Sequence, residues 1–138
     1  MGANPQAYDT KKEESAVKIS ECISLLDSLM HNTYTDHHKR RWLSNVDGQI
    51  QAQLISTHEG GAVTAGLPYG SGDDQKLLLA PPPFDAMYLH YLQAQMHYLN
   101  GEIDRYNNAM AMFQAALDDY ARHYNRTHLP LGARIRYF

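Results

Sequence analysis

Eight histidines in 138 residues raise the question of a metal centre. Their spacing argues against one. His37 and His38 are adjacent, so on a helix they leave in different directions and cannot share a face. His90 and His97 stand two helical turns apart, too far to enter one coordination shell. The run His58-Glu59-Gly60-Gly61 lacks the second histidine that a zinc-hydrolase helix carries one turn on. Nucleophilic chemistry finds no better footing. Ser20, Ser24, Ser28 and Ser44 fall on segments that read as helices, without the glycines of a strand-to-helix elbow. The single cysteine, Cys22, lies on an apolar stripe and reads as a small core residue. Asp118 and Asp119 are neighbours that point apart. Gly70-Ser71-Gly72 is not followed by the helix and lysine of a phosphate loop. No catalytic residue, cofactor or metal ligand is therefore expected, and the chain reads as a non-enzyme.

The surrounding elements read as helices. At 43% apolar and 20% charged residues, the chain has the composition of a single globular domain. A lone cysteine excludes an internal disulfide. No run of apolar residues is long enough for a membrane span, and the polar residues 1–12, expected to be loose, lack the apolar core of a signal peptide. Val17, Ile19, Ile23, Leu26 and Met30 give helical spacing over 13–30. Thr35 suits the N-cap of a second helix over 36–56, with Asp36 in its first turn and Trp42, Val46, Ile50 and Leu54 on one face. Asp47-Gly48 interrupts that helix, since glycine costs about 1 kcal/mol there relative to alanine. Residues 57–83 hold five of the nine glycines and read as a long Gly/Pro-rich loop, with a short extended strand over 76–83 that its three prolines hold extended.

Beyond that loop, Asp85 is placed to cap a third helix. Leu92, Met96, Leu99, Ile103, Tyr106, Met110, Phe113, Leu117, Tyr120 and Tyr124 then step by four and three without a slip. The unbroken phase favours one long helix over 85–125, kinked at Gly101, over two stacked helices. The expected fold is all-α: a small helical bundle with one long C-terminal helix, the long loop and an extended C-terminal tail.

Charge and aromatic content bear on partners. The formal net charge is -3, which argues against a general nucleic-acid coat. The cluster Asp36-His37-His38-Lys39-Arg40-Arg41-Trp42 reads as a solvated basic face with Trp42 turned into the core. No acid follows Asp119, whereas Arg122, Arg126, Arg134 and Arg136 do. The tail 129–138 is thus basic and aromatic, with Leu131, Arg134, Ile135, Arg136, Tyr137 and Phe138 suited to an acidic groove or a phosphate on a partner. Ten tyrosines are many for this length, and tyrosine favours interfaces where an apolar ring meets a wet hydroxyl. Asn107-Asn108, poor helix formers in mid-helix, suit hydrogen bonds to another subunit. The candidate subunit contacts are therefore Tyr106, Asn107, Asn108, Tyr120, Tyr124 and Arg126.

Four stretches carry a resemblance: Trp42-Leu43-Ser44 with Asp47-Gly48 and Ile50; Pro83-Phe84-Asp85; Asn100-Gly101-Glu102 with Arg105-Tyr106-Asn107-Asn108; and Tyr124-Asn125-Arg126 with His128 and Pro130. Together they span most of 32–130, and the chain resembles the head–tail connector (neck adaptor) proteins of tailed bacteriophages. The resemblance implies a helical connector domain over 13–128 and a docking tail over 129–138. It further implies a homo-oligomeric ring, commonly of about twelve subunits, seated below the portal protein in the virion neck after assembly in the host cytoplasm. The tail would dock on the portal, and the loop would face a downstream neck or tail protein. Double-stranded DNA would pass through the channel without sequence-specific binding. A tetratricopeptide-like scaffold binding protein partners is the alternative, although one repeat is too few to stand alone; an enzyme subunit with a lid over 57–75 is a more distant one.

Overall fold

A computed structural model of the chain describes residues 16–58 and 66–128. Four α-helices carry the described fold: α1 (Ile19–Leu29), α2 (Asp36–Gln53), α3 (Ala86–Leu99) and α4 (Ile103–Thr127). A short 3-10 turn at Ile55–Thr57 continues α2, and a second lies at Ser71–Asp73. The fold is the all-α bundle that the sequence implies.

The helices run up, down, up and down. Asn45 and Asp47 of α2 reach Tyr91 and Tyr88 of α3 in antiparallel order. Down the α3–α4 pair, Tyr98 meets Tyr106, Tyr91 meets Phe113, and Phe84 just before α3 meets Tyr120. Each step back along α3 is matched by a step forward along α4, which makes the two an antiparallel hairpin. α3 is the central element, packing on all three others. Accordingly Met87, Tyr88, Leu92, Ala94 and Met96 are buried on several sides of it. By contrast α4 is an edge helix. Its 25 residues, about 37 Å long, bury one stripe of Ala109, Phe113, Leu117, Tyr120 and Tyr124. Ile19, Ile23 and Leu26 of α1 and Trp42, Leu43, Val46 and Ile50 of α2 complete the core. Each large apolar side chain so enclosed stabilises the fold by roughly 1.5–3 kcal/mol.

The structure corrects the expectation of one helix over 85–125. The chain reverses at residues 100–102. The Gly101 amide donates to Tyr98 O and the Glu102 amide to His97 O, while Gly101 takes the left-handed conformation at φ 78°. That pair of bonds is the Schellman termination, for which Asn-Gly is a suitable sequence. The Tyr34 hydroxyl donates to Asn100 Oδ1 at 2.6 Å and ties the α1–α2 connection to the same turn.

Other boundaries shift too. Asp85 makes no side-chain cap bond to α3. Gly48 does not interrupt α2, which runs through it with open space where a Cβ would stand. Thr35 does cap α2, its hydroxyl accepting from the His38 amide. The helix expected over 13–30 begins at Ile19, and its first amides are satisfied from far along the chain. Ile19 N donates to Lys76 O at 3.0 Å and Ser20 N to Asp74 O at 2.9 Å. With Leu78 N donating to Val17 O, these bonds press the extended piece against the start of α1. Its only pairing among the described residues is an isolated antiparallel bridge between Lys18 and Leu77.

Candidate assembly surface

The second half of the long loop does not project from the bundle. Leu78 and Ala80 are buried in the core, and Tyr69 is tied to α2. Residues 66–80 therefore form a strap across α1 and α2 rather than a free loop; 59–65 lie outside the described residues. The strap has two anchors. At the first, Asp47 of α2, fully buried, accepts from the Tyr69 hydroxyl at 2.5 Å, the Tyr88 hydroxyl at 2.6 Å and the Leu79 amide at 3.4 Å. Burial raises the Asp47 carboxyl above its ordinary range, and the two hydroxyls offset this only in part. Burial together with the Asp47 charge raises Tyr69 and Tyr88 as well, so both remain hydroxyl donors. At the second anchor, the Arg40 guanidinium forks onto Asp74 at 2.7 and 3.0 Å. The bond from Arg40 holds Asp74 below the usual carboxylate range.

The basic cluster of α2 is thus partly consumed inside the fold. Lys39 is only 3% exposed and pairs with Asp27 of α1 at 2.7 Å, so it does not belong to a solvated face. Trp42 is in the core as expected, with the Tyr34 ring edge against it. His58 is a further tie that the sequence reading missed. It is buried beside Tyr124, its Nδ1 donates to Leu54 O at 2.6 Å, and its Nε2 lies 2.7 Å from Asn125 Oδ1. Cys22 is a buried thiol, raised to about 12 by burial and by the charges of Asp85 and Asp47. Among the described residues no three His, Cys, Asp or Glu side chains gather as metal ligands would.

The expected subunit contacts separate into two groups. Tyr120 and Tyr124 are buried in this chain's own core, so their rings are not available to a neighbour. Tyr106 is half-buried against Tyr98 at the hairpin turn, while Asn107, Asn108 and Arg126 are exposed on α4. The residues expected to dock on a portal, Leu131, Arg134, Ile135, Arg136, Tyr137 and Phe138, lie outside the described residues.

Several large apolar side chains are exposed, among them Leu99 and Ile103 of the stripe that reads as continuous. Leu29 of α1 is 62% exposed, and Leu25 one turn earlier is exposed with it. At the hairpin turn Tyr98, Leu99 and Ile103 face outward, two of them members of the continuous stripe. Met112, on the outer side of α4, is 55% exposed. α1 and α4 each pack on α3 but not closely on each other. Exposed apolar side chains thus stand on two different helices, uncovered among the described residues.

No helix among the described residues is long and apolar enough to cross a membrane. No protein-family model, curated protein or solved structure matches the chain.

Proposed function

We propose that the chain is a structural subunit of the neck of a tailed bacteriophage, joining copies of itself in a ring between the portal and the tail. The ring surrounds the channel through which DNA leaves the capsid, and the tail 129–138 fixes each subunit to the portal. The observation that supports this reading best is that exposed apolar side chains stand on two different helices, Leu25 and Leu29 on α1 and Met112 on α4. A closed ring is built from heterologous contacts, in which each subunit offers one patch forward and a different patch backward. The bundle has the rigidity that such a subunit needs, with α3 packed on every side and the strap pinned to Asp47 and Arg40. The segments that carry the connector resemblance fall on α2, on the start of α3, on the hairpin turn and on the end of α4.

The test separates heterologous assembly from other kinds. Leu29→Glu and Met112→Glu each remove one patch, and native mass spectrometry reads the oligomers. Each variant alone should stop short of the ring that the unsubstituted chain forms. An equimolar mixture should yield a heterodimer, since one intact patch remains on each partner. Ring formation by either variant at the unsubstituted level would contradict the proposal.

A further inference from the structure

α4 packs closely on α3 alone among the helices, so the face opposite its buried stripe is left uncovered among the described residues. Ala111 and Ala115 stand at the middle of that face. Asp104 and Asn108 continue it toward the N-terminal end, and Asp119, Arg122 and Arg126 toward the C-terminal end, at steps of four and three; all are exposed. The charges along it are ordered. Asp104 and Arg126 lie equally far from Ala115 on either side, about 16 Å along the helix axis. Neither has an ion-pair partner among the described residues. Asn108 and Arg122 are likewise equidistant from Ala115, and Asp119 is engaged by Arg122 of its own helix. We infer that this face of α4 binds a second copy of the chain as an antiparallel pair, with Ala115 at the two-fold axis and Asp104 of each copy against Arg126 of the other.

Two observations select a second copy as the occupant. The first is charge. Reversal about Ala115 carries the acidic end of the face onto its basic end, so the face complements itself at both ends of one contact. It also sets Asn108 opposite Arg122, an amide oxygen facing a guanidinium. A parallel pair would instead oppose Asp104 to Asp104 and Arg126 to Arg126. The second is shape. Alanines at the centre let two helices approach to the usual interaxial distance of about 8–10 Å. Met112, 55% exposed, stands beside that centre, and the two-fold axis brings both copies of it to the same side of the contact. An apolar side chain that the fold leaves uncovered thereby loses water contact in the pair.

One helix face is smaller than a standard interface, so the pair is weak and concentration-dependent. It does not rest on the connector reading. Within that reading it is an alternative to the ring, because Met112 cannot serve both contacts at once, while Leu25 and Leu29 on α1 take no part in it.

The experiment uses the full chain carrying Leu29→Glu, which removes the ring contact on α1 and leaves α4 untouched. Sedimentation equilibrium should read a monomer–dimer equilibrium for this parent. Adding Arg126→Glu sets acid against acid at both ends of the pair, and adding Asp104→Arg instead sets base against base. Each should raise the dimer dissociation constant by about tenfold, with helix content by circular dichroism unchanged. Mixing the two singly reversed chains should restore dimerisation to the parent level, as heterodimers by native mass spectrometry, because acid then meets base at both ends. A chain carrying both reversals should also pair like the parent. A monomeric parent would overturn the inference, as would reversed chains that pair as well as the parent or fail to recover on mixing. None of these outcomes bears on ring formation by the unsubstituted chain or on its presence in virions, so failure here is distinguishable from failure of the connector reading.

Discussion

The Tyr88 hydroxyl donates to Asp47 Oδ1 at 2.6 Å and at the same time accepts from the Ala80 amide at 2.8 Å. One side chain on α3 thereby joins a carboxylate on α2 to the backbone of the strap, with all three groups out of contact with water. Such a network contributes most when every member is satisfied, and no buried polar side-chain atom among the described residues lacks a partner.

Tyr88→Phe should therefore cost more than one hydrogen bond. It leaves both Asp47 and the Ala80 amide short of a partner, at about 1–3 kcal/mol for each unsatisfied group. Tyr69→Phe removes a donor to Asp47 alone and should cost about half as much. Urea denaturation of the two variants measures the difference, and equal losses would show that the bond to Ala80 contributes nothing.

The Asp47 carboxyl gives stability a definite pH dependence. Its folded pKa is raised, so folding favours the protonated form. The stability attached to that form is fully present below the ordinary carboxylate value of 3.8 and is lost as pH rises through the folded value. Asp74, held low by Arg40, acts in the opposite sense and loses its contribution as pH falls. Subtracting the unfolding free energy of Asp47→Asn from that of the unsubstituted chain isolates the first effect. The difference should fall as pH rises from about 4 toward neutrality and then level off. A flat difference would mean that the site does not titrate there.

Gly101→Ala tests the reversal between α3 and α4. There is room for the added carbon, since nothing lies within 4 Å of it, but the φ of 78° is strained for any residue with a side chain. The expected loss is about 1–2 kcal/mol, with the helix content by circular dichroism unchanged. A rise in helix content would instead mean that α3 and α4 had fused into the single helix suggested by the apolar phase.

Some of the fold was legible in the sequence because it is local. Thr35 caps α2 three residues ahead of its partner, and Trp42, Val46 and Ile50 mark one face. The α3–α4 boundary was obscured for a physical reason. The two helices present their stripes to each other across the hairpin, so the apolar phase survives the turn, and only Asn100-Gly101 signals the reversal. The strap was not legible. Asp47 draws its donors from 22 and 41 residues away, and Arg40 its carboxylate from 34 away. No periodicity encodes such pairings, and a charged residue read in isolation defaults to the surface. The hydroxyls of Tyr120 and Tyr124 suggest a subunit boundary, whereas the edge position of α4 turns that stripe into the chain's own core.

Cys22 offers a readout of fold integrity for all of these variants. With its thiol raised to about 12 and only 4% exposed, it should resist maleimide at neutral pH at a rate set by unfolding. Variants that loosen the strap should react faster, by about tenfold for each 1.4 kcal/mol of stability lost, and rapid labelling of the unsubstituted chain would contradict the burial.

The most direct measurement of the central claim is quantitative mass spectrometry of purified virions after DNA-filled heads have been separated from tails. The connector reading predicts this chain in the head-plus-neck fraction at a copy number matching the portal. Its absence from virions would contradict that reading and turn attention to protein partners among the host's soluble fraction.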